Sequence, residues 1–272
     1  MSLLSDAPPI DRRFERLGRL ITEDAVAMLA RKHVVVCGMG GVGSWTAEAL
    51  ARSGVGRLTL IDFDAVSITT LNRQLPGETA TIGTPKVEVM AARARSVNPL
   101  IAITTVREKI EPESLHRVIP VDADFVVDAI DQLGNKSALL AHCIHVGLPV
   151  VSSTGAGGRR DPTQIAVSDL SLVSSDPLAR LVRVYLRTRH DFGPLGPFGI
   201  PAVWSREPSA RPIIPRHAEA EKSRTELPPG TPLTSGMRNV IMGTACWVTS
   251  VFGMHCAAVV VNTLVDRHSI RG

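Results

Sequence analysis

The chain has 272 residues, of which 44% are hydrophobic and 21% are charged, and its formal net charge is +4. This composition excludes a fibrous or disordered protein and fits one large α/β domain or two small ones. The mild positive charge permits an acidic partner without naming one. The four cysteines, Cys37, Cys143, Cys246 and Cys256, show no CxxC spacing, which argues against a zinc knot or a thioredoxin-type redox pair. We expect buried thiols in a reducing compartment.

Strand and helix patterns alternate through the first half of the chain. Three segments have helical spacing, at 44–54, at 86–98 and up to about His145. Alternation of this kind predicts an α/β fold with a Rossmann-like, doubly wound, mostly parallel sheet and right-handed crossovers. The predicted strands are the short apolar runs 34–37, 57–62, 101–106, 125–130 and 149–154.

After Gly158 the alternation stops and the sequence predicts a C-terminal extension. Residues 178–189 are predicted as a helix that places Arg180, Arg183 and Arg187 on one face. An ordinary solvated face and a contact for an acidic partner both fit that stripe. The proline-rich segment 191–235 has no convincing periodicity, so we expect a long irregular excursion over the strand ends or at a subunit contact.

The two ends of the chain bear on its location. Residues 1–11 lack the apolar core of a secretory signal, so we expect a disordered tail on a cytoplasmic protein whose single domain spans 12–272. Residues 240–265 carry no formally charged side chain over a length that could span a bilayer. We favour a long buried or membrane-surface helix, since hydropathy alone does not separate a core helix from a spanning one; peripheral or single-span membrane association stays open.

A glycine turn after the first predicted strand indicates a nucleotide site. Gly38, Gly40 and Gly43 satisfy G-x-G-x-x-G, with an additional Gly41, and a helix follows. Phosphate would lie at the helix N-terminus, where free N–H groups point. Asp62, about twenty residues on, fits the acidic residue that binds ribose. An NAD dehydrogenase shares both features, so the turn leaves NAD and ATP open.

The residues after Asp62 favour ATP. Asn72, Arg73 and Lys86 follow it, and Lys86 opens the next predicted helix. A pyrophosphate is already served by the glycine turn, whereas a triphosphate about to be cleaved calls for fixed cations and a magnesium ion. Asp131 follows the fourth predicted strand, where a metal-bound triphosphate would lie.

These motifs also resemble a family. In order, GxGGVGS, LIDFD, LNRQ, GxPK and VxDAxD are similar to motifs of the ThiF/MoeB-type superfamily, which resembles the adenylation domain of ubiquitin-activating enzymes. The resemblance implies that ATP and Mg²⁺ bind and that a carboxylate is adenylated, with Arg73, Lys86 and Asp131 as the catalytic residues. The implied contacts are the glycine turn, Asn72, Arg73 and Lys86 on the phosphates, Asp62 and Asp64 on the ribose, and Asp131 on magnesium.

The N-terminal stretch RRFERLGRL resembles the segment with which one subunit of such dimers reaches the ATP of the other. The resemblance therefore implies a homodimer, with Arg16 in that role. Sulfur-carrier activators of this superfamily carry two CxxC pairs, and ubiquitin-like activators add a nucleophilic cysteine. This sequence has no CxxC pair and no cysteine in an obviously activating setting, which disfavours transfer to sulfur.

One branch of the superfamily matches more of the sequence. The runs STGAGGRRDPTQIAVSDL, DPLARLVR and SGMRNVIMGTACWVTSVFG resemble the tRNA threonylcarbamoyladenosine dehydratases, and the resemblance extends over about residues 12–265. It implies adenylation of the threonylcarbamoyl carboxylate on adenosine 37 of a tRNA, then ring closure with loss of AMP, formally a dehydration. A bound monovalent cation and a sulfur-relay protein partner stay open.

A tRNA substrate gives the basic residues a partner. Arginine contacts to phosphate dominate affinity for nucleic acids, so the nucleic-acid contacts are predicted at Arg159, Arg160, Arg180, Arg183 and Arg187. An unstacked base could be held by Trp204 or Phe198. Three other functions stay open: activation of the C-terminus of a ubiquitin-like or sulfur-carrier protein, an NAD-dependent oxidoreductase, and a non-catalytic module on a degenerate Rossmann domain.

Overall fold

The computed structural model describes residues 10–213 and 242–269. It confirms the predicted α/β class. The strands are β1 (His33–Cys37), β2 (Arg57–Ile61), β3 (Ala102–Val106), β4 (Phe125–Asp128), β5 (Val150–Ser153), β6 (Ile165–Asp169) and β7 (Pro201–Ser205). The helices are α1 (Glu15–Ile21), α2 (Glu23–Leu29), α3 (Gly43–Arg52), α4 (Lys86–Val97), α5 (Leu115–Val118), α6 (Leu133–His145), α7 (Pro177–Arg189) and α8 (Cys246–Ser269).

The strands form one seven-stranded sheet in the order β3-β2-β1-β4-β5-β7-β6. Neighbours from β3 to β7 are parallel, and β6 runs antiparallel to β7 at the edge. The strand order reverses between β1 and β4. In open α/β sheets, ligands bind at such a switch point, outside the carboxyl ends of the strands.

Core residues cover both faces of the sheet. The central strand β1, HVVVC, is buried along its whole length, as expected for a β-branched strand in a doubly wound sheet. One core cluster joins the sheet to α3, α4 and α8, and a second joins it to α6 and α7. The helices thus hold the strand ends in fixed positions around the switch point.

Two glycines make the turn after β1 possible. Gly38 has a φ of 93°, in the region that favours glycine. At Gly43, the first residue of α3, an added Cβ would lie 1.8 Å from the Gly38 carbonyl oxygen. Side chains at these positions would therefore push α3 away from the strand end.

The apolar C-terminal segment forms α8, which packs into the core. Its residues Cys246–Asp266 are long and apolar enough to cross a membrane, and half of the most apolar window is buried within the protein. Val248, Phe252 and Val260 lie in the cluster beneath α3, and Thr46 Oγ1 of α3 donates to the Gly253 carbonyl at 3.1 Å. The packing of α8 against α3 agrees with the prediction of a buried helix. The helix begins at Cys246, whereas residues 240 and 241 of the predicted segment lie outside the described residues.

The structure corrects the prediction for the proline-rich segment. Residues 201–205 of the expected excursion form β7, which pairs with β5 on one side and β6 on the other. Neither β6 nor β7 was predicted, because β6 lies outside the strand-helix alternation and β7 begins with Pro201 in a segment that lacks periodicity. Residues 214–235 of the excursion lie outside the described residues, as do residues 1–9 of the expected tail.

Candidate active site

A cavity of about 480 Å³ opens at the carboxyl ends of the parallel strands, at the switch point. Its walls are the loops that follow β1, β2, β3, β4 and β5, together with residues at the start of α8. The wall includes these residues predicted from the sequence: Gly38, Gly40, Gly41, Asp62, Asp64, Arg73, Lys86 and Asp131.

The glycine turn presents free backbone donors to this cavity. The N–H groups of Gly40, Gly41 and Val42 donate to no acceptor within residues 10–213 and 242–269. An added Cβ on Gly41 would lie 3.1 Å from the Thr249 side chain, so the turn is also closely covered by α8. Unpaired N–H groups at the start of a helix form an anion site.

Asp62 ties the glycine turn to the end of β2. Its Oδ2 accepts from the Met39 N–H at 2.6 Å, and its Oδ1 accepts from the Asp64 N–H at 2.8 Å. Burial raises the pKa of this carboxyl, while Lys86 and the two N–H donors oppose that rise. The carboxylate therefore has a fixed orientation at the wall, as a ribose contact requires.

Two cationic side chains lie on the same wall. Lys86 is buried, and its Nζ is 2.7 Å from Asp64 Oδ2, whose side chain is 46% exposed. Arg73 donates through Nη1 to the Thr69 carbonyl at 2.8 Å and to Asn72 Oδ1 at 3.0 Å. Burial lowers the pKa of the Arg73 guanidinium, which stays charged near neutral pH. These cations face the cavity beside the free donors of the turn.

Asp131 lies on the opposite wall, in the loop after β4. Its exposed side chain has no hydrogen bond or ion pair to the described residues, so its oxygens are free for a ligand. No group of three or more metal-ligating side chains occurs in the described part of the chain. Mg²⁺ at a nucleotide needs only one or two protein carboxylates, because phosphates and waters complete its shell. The donor chemistry of Asp131 fits that demand.

A buried ion pair supports the loop that carries Asp131. Lys136 Nζ is 2.7 Å from Asp128 Oδ2, and both side chains are essentially inaccessible. Lys136 also donates to the Ile130 carbonyl at 3.0 Å, while Ser152 Oγ donates to Asp128 Oδ2 at 2.7 Å. Burial raises the pKa of Asp128, and Lys136 opposes the rise. The pair thereby fastens the ends of β4 and β5 together beneath the cavity.

A second buried pair shapes the loop 155–159. Arg159 Nη2 is 2.7 Å from Asp176 Oδ2, and the same guanidinium donates to the Gly155 and Gly157 carbonyls. Asp176 also caps α7, since its Oδ1 accepts from the Ala179 N–H at 2.8 Å. The backbone of this loop is thus fixed from inside the protein.

Comparisons with known proteins show which family this chain belongs to. Residues 14–179 match the model of the ThiF family. The tRNA threonylcarbamoyladenosine dehydratase of Haemophilus influenzae is 40% identical over 95% of both chains, and that of Escherichia coli is 40% identical over 89% of both. The crystal structure of E. coli tRNA N6-threonylcarbamoyladenosine dehydratase in complex with ATP superposes with a TM-score of 0.83 at 34% identity, covering 98% of this chain and 100% of that one. The chain belongs to the tRNA threonylcarbamoyladenosine dehydratase group of the ThiF family.

Three residues of the predicted ATP site of this ThiF-family chain lie outside the cavity wall. Gly43 is behind the turn, where it permits the close approach to Gly38. Asn72 accepts from Arg73 and donates to the Thr244 carbonyl at 3.0 Å, so the structure gives it a supporting position. Arg16 is exposed on α1, and its predicted contact with a partner's ATP stays a prediction.

The structure corrects several of the predicted tRNA contacts. Arg159 is buried in its pair with Asp176 and has no surface to offer a nucleic acid. Arg183 donates to the Leu170 and Val173 carbonyls and is partly accessible, so its contact with tRNA stays a prediction. Trp204 and Phe198 are buried, Trp204 on β7 and Phe198 edge-on to Phe192, so neither presents a face for a base.

Three of the predicted arginines remain on the surface. Arg160, Arg180 and Arg187 are exposed. The Arg187 guanidinium lies 5.2 Å from the centre of the Phe198 ring. A stacked guanidinium still has N–H groups free for phosphate.

Other cavity residues were missed by the sequence analysis. Gln74 belongs to the LNRQ motif, and Thr154–Gly157 belong to the TGAGG run, so those motifs held the signal. Glu108–Ile110 could have been found only from their position after β3, whereas Thr249 lies in the run SGMRNVIMGTACWVTSVFG, whose family resemblance did not indicate that this residue reaches the cavity.

The cysteines are not placed for nucleophilic chemistry in this cavity. Cys37, Cys143 and Cys256 are buried, and burial raises the pKa of Cys143 and Cys256 to about 12. Cys246 is partly accessible, and no cysteine of the described residues lines the cavity. The expectation of buried thiols is therefore confirmed at Cys37, Cys143 and Cys256 but not at Cys246.

Proposed function

We propose that this chain adenylates the threonylcarbamoyl carboxylate of modified adenosine 37 in tRNA and then closes a ring with loss of AMP. The observation that carries the proposal is the convergence of free N–H donors, Arg73, Lys86 and Asp131 on one cavity at the switch point. The relatives that are 40% identical over 89 to 95% of their length are named for this activity, which supports the same substrate here.

In the first step a substrate carboxylate oxygen attacks the α-phosphorus of ATP. The new P–O bond forms as the bond to the bridging oxygen of the β-phosphate breaks, which gives an acyl-adenylate and pyrophosphate. Negative charge builds on the α-phosphate and on the leaving pyrophosphate. Arg73, Lys86 and the glycine-turn N–H groups are fixed donors for that charge. Lys86 exchanges Asp64 for phosphate in this step, since Asp64 can turn to water.

In the second step a nitrogen of the same modification attacks the activated carbonyl carbon. The C–N bond closes the ring, AMP leaves, and the nitrogen gives up its proton, so the substrate has formally lost water. The attacking group is already tethered to the substrate, and proximity therefore replaces the thiol that other activators use. This route agrees with the cysteine-free cavity wall in the described residues.

Asp131 is the residue that would hold a magnesium ion at the triphosphate. When bound, the ion would neutralise phosphate charge and orient the leaving group. The buried Asp128–Lys136 pair sets the backbone of the loop that presents Asp131. We assign no monovalent cation to the described residues.

The tRNA is proposed to lie across the exposed basic residues Arg160, Arg180 and Arg187. We also keep the proposal of a homodimer in the cytoplasm, with Arg16 reaching the ATP of the partner subunit. Cross-complementation tests that role: a mixture of Arg16→Ala and Lys86→Met chains should recover part of the activity that each lacks alone.

The deciding experiment is mass spectrometry of tRNA nucleosides after incubation of modified tRNA with the purified chain and ATP. We expect the threonylcarbamoyladenosine peak to lose the mass of one water, with one AMP formed per event. An unchanged nucleoside, together with pyrophosphate exchange that starts only when a ubiquitin-like protein is added, would replace the proposal with activation of a protein C-terminus. A thermal shift with NAD but not with ATP would replace it with an oxidoreductase.

A further inference from the structure

Two buried polar atoms on the cavity wall have no partner. Among the described residues, the buried side-chain atoms without a hydrogen bond are His33 Nδ1, Gln74 Oε1 and Thr154 Oγ1. His33 Nδ1 lies 3.3 Å from Asp122 Oδ1 and does not face the cavity. Gln74 and Thr154 both line it and are more than nine-tenths buried. Buried polar atoms in native proteins almost always have a partner, from the protein, from ordered water or from a ligand, so these two atoms are available to a ligand that enters the cavity.

The position of Thr154 separates it from the phosphate contacts. The glycine turn follows β1, Asp131 follows β4, and Thr154 follows β5, so the three lie at successive strand ends along one side of the sheet. The Thr154 backbone is held by its N–H, which donates to the Val203 carbonyl at 2.9 Å. Thr154 therefore lies on the wall beyond Asp131, at a strand end two strands away from the turn that serves the phosphates.

The unpaired oxygen of Gln74 does not fit a phosphate partner, although the Nε2 of the same amide can donate to one. Its unpaired atom is an amide oxygen, which accepts a hydrogen bond but cannot donate one. A phosphate oxygen of ATP is an acceptor too, so the two do not pair. The Gln74 amide also lies near the turn, because an added Cβ on Gly40 would be 3.8 Å from Gln74 Nε2. An N–H or O–H group of a second substrate, held against the α-phosphate, is the partner that this oxygen fits.

The segment 242–249 joins the surroundings of the two residues. At the Thr154 side, an added Cβ on Gly157 would be 3.0 Å from the Met242 side chain. At the Gln74 side, Asn72 donates to the Thr244 carbonyl, and Thr249 Oγ1 lies 3.4 Å from the Arg73 carbonyl. The unpaired atoms of Gln74 and Thr154 thus belong to residues of one continuous cavity wall.

We propose that Thr154 and Gln74 form the acyl subsite of this cavity, which binds a carboxylate carried on a ureido group. The Thr154 hydroxyl donates to the carboxylate oxygen that does not attack, and Gln74 Oε1 accepts a ureido N–H. Together they hold the attacking oxygen against the α-phosphate. This inference rests on the proposed function, because the ureido carboxylate is its substrate.

The test separates the acyl substrate from the nucleotide. Pyrophosphate release is measured at saturating ATP against the concentration of threonylcarbamoyladenosine-containing tRNA, and nucleotide affinity is measured separately with α,β-methylene-ATP, which is not cleaved at the α-phosphate. Thr154→Val and Gln74→Met should each lower kcat/KM for the tRNA at least tenfold and change the affinity for the ATP analogue less than twofold. Thr154→Ser should recover most of the lost kcat/KM.

A stability readout distinguishes a binding role from a structural one. Because the Thr154 hydroxyl has no partner, Thr154→Val should fold with an unchanged or higher melting temperature. Thr104→Val, which removes a hydroxyl from an exposed position on β3, is the matched control and should keep wild-type kinetics.

Three outcomes would overturn the subsite. Wild-type kinetics in Thr154→Val and Gln74→Met would remove it while leaving the proposed function intact. A loss of affinity for the ATP analogue as large as the loss of kcat/KM would assign both atoms to the nucleotide instead. A wild-type protein that releases no pyrophosphate with the modified tRNA would overturn the subsite and the proposed function together.

Discussion

Two buried lysines on either side of the cavity show how the same ion pair can serve different purposes. Lys86 and Lys136 each lie 2.7 Å from an aspartate oxygen. Asp64, the partner of Lys86, has a side chain that is 46% exposed, whereas Asp128, the partner of Lys136, is fully buried. An exposed carboxylate can be resolvated, so Lys86 is free to take a phosphate. Lys136 and Asp128 are both shielded from water, so their pair holds the backbone of the loop after β4 in place.

Breaking the buried Asp128–Lys136 pair should have the largest effect on stability. Asp128→Asn leaves the Lys136 ammonium buried without a counter-charge, and removal of one partner of a buried pair costs about 3–5 kcal/mol of the free energy of unfolding. Urea denaturation measures this loss. The double variant Asp128→Asn, Lys136→Met should recover much of it. A loss below about 1 kcal/mol in the single variant, against the typical cost of breaking such a pair, would contradict the comparison.

The free energy of unfolding of Lys136→Met should depend on pH in a direction set by Asp128. Burial raises the pKa of Asp128, and removal of Lys136 takes away the charge that opposes the rise. The folded state then binds a proton more tightly than the unfolded state, whose carboxyl titrates near about 3.9. The variant should therefore lose stability, relative to wild type, as the pH rises above about 4. A difference that does not change with pH would contradict this account.

Breaking the Lys86–Asp64 pair should lower turnover and leave folding unchanged. Lys86→Met removes a fixed cation from the developing phosphate charge, and loss of one such donor typically lowers turnover by about 10²- to 10³-fold. Pyrophosphate release measures it, and the melting temperature should barely move. Lys32→Met is the matched control, because Lys32 pairs with Asp124 at 2.9 Å outside the cavity. Unchanged turnover in Lys86→Met would overturn the proposed role.

The sequence revealed one of these lysines and missed the other. Lys86 belongs to GxPK, a motif in a fixed position after the ribose carboxylate. Lys136 lies in a helix whose pattern does not indicate which polar residue faces inward, and its importance depends on the burial of Asp128. Strands β1 to β5 were predictable because each is a short run rich in β-branched and apolar residues that alternates with a helical pattern. By contrast, β6 lies outside the alternation of strands and helices, and β7 begins with a proline inside the proline-rich segment, so neither had a local strand signal.

Asp169 is a third carboxylate with strong partners, which are backbone N–H groups instead of an ammonium. Asp169 accepts from the N–H groups of Ser171 at 2.8 Å, Phe198 at 3.0 Å and Gly199 at 2.8 Å. Burial alone would raise the pKa of Asp169, but these bonds outweigh it and lower the pKa. Asp169→Asn should cost about 1–3 kcal/mol at pH 7.

The stabilisation by Asp169 has the opposite dependence on pH. Because its folded pKa is depressed, the contribution is fully present above the unfolded value of about 3.9 and is lost as the pH falls through the folded pKa. Denaturant titrations of wild type and Asp169→Asn should converge in strongly acidic buffer. Curves that stay equally separated there would contradict the assignment.

The smallest effects are expected at the protein surface. Arg180→Gln with Arg187→Gln should reduce the slope of log affinity for tRNA against log salt by about 0.9 for each duplex phosphate that the variant no longer neutralises. Arg183→Gln is the internal comparison, because the Arg183 guanidinium donates to the Leu170 and Val173 carbonyls. This variant should lower the free energy of unfolding more than the double variant does and should change the salt slope less. An unchanged slope in the double variant would exclude α7 from the tRNA interface.

The contact of α8 with the glycine turn has a consequence for biosynthesis. Thr249 covers Gly41, and Thr244 accepts from Asn72, a bond that spans 172 positions of the chain. The nucleotide pocket therefore acquires this part of its wall only after α8 has left the ribosome. Until then a nascent chain has its glycine turn without the cover of Thr249, so tight ATP capture requires that α8 has been made.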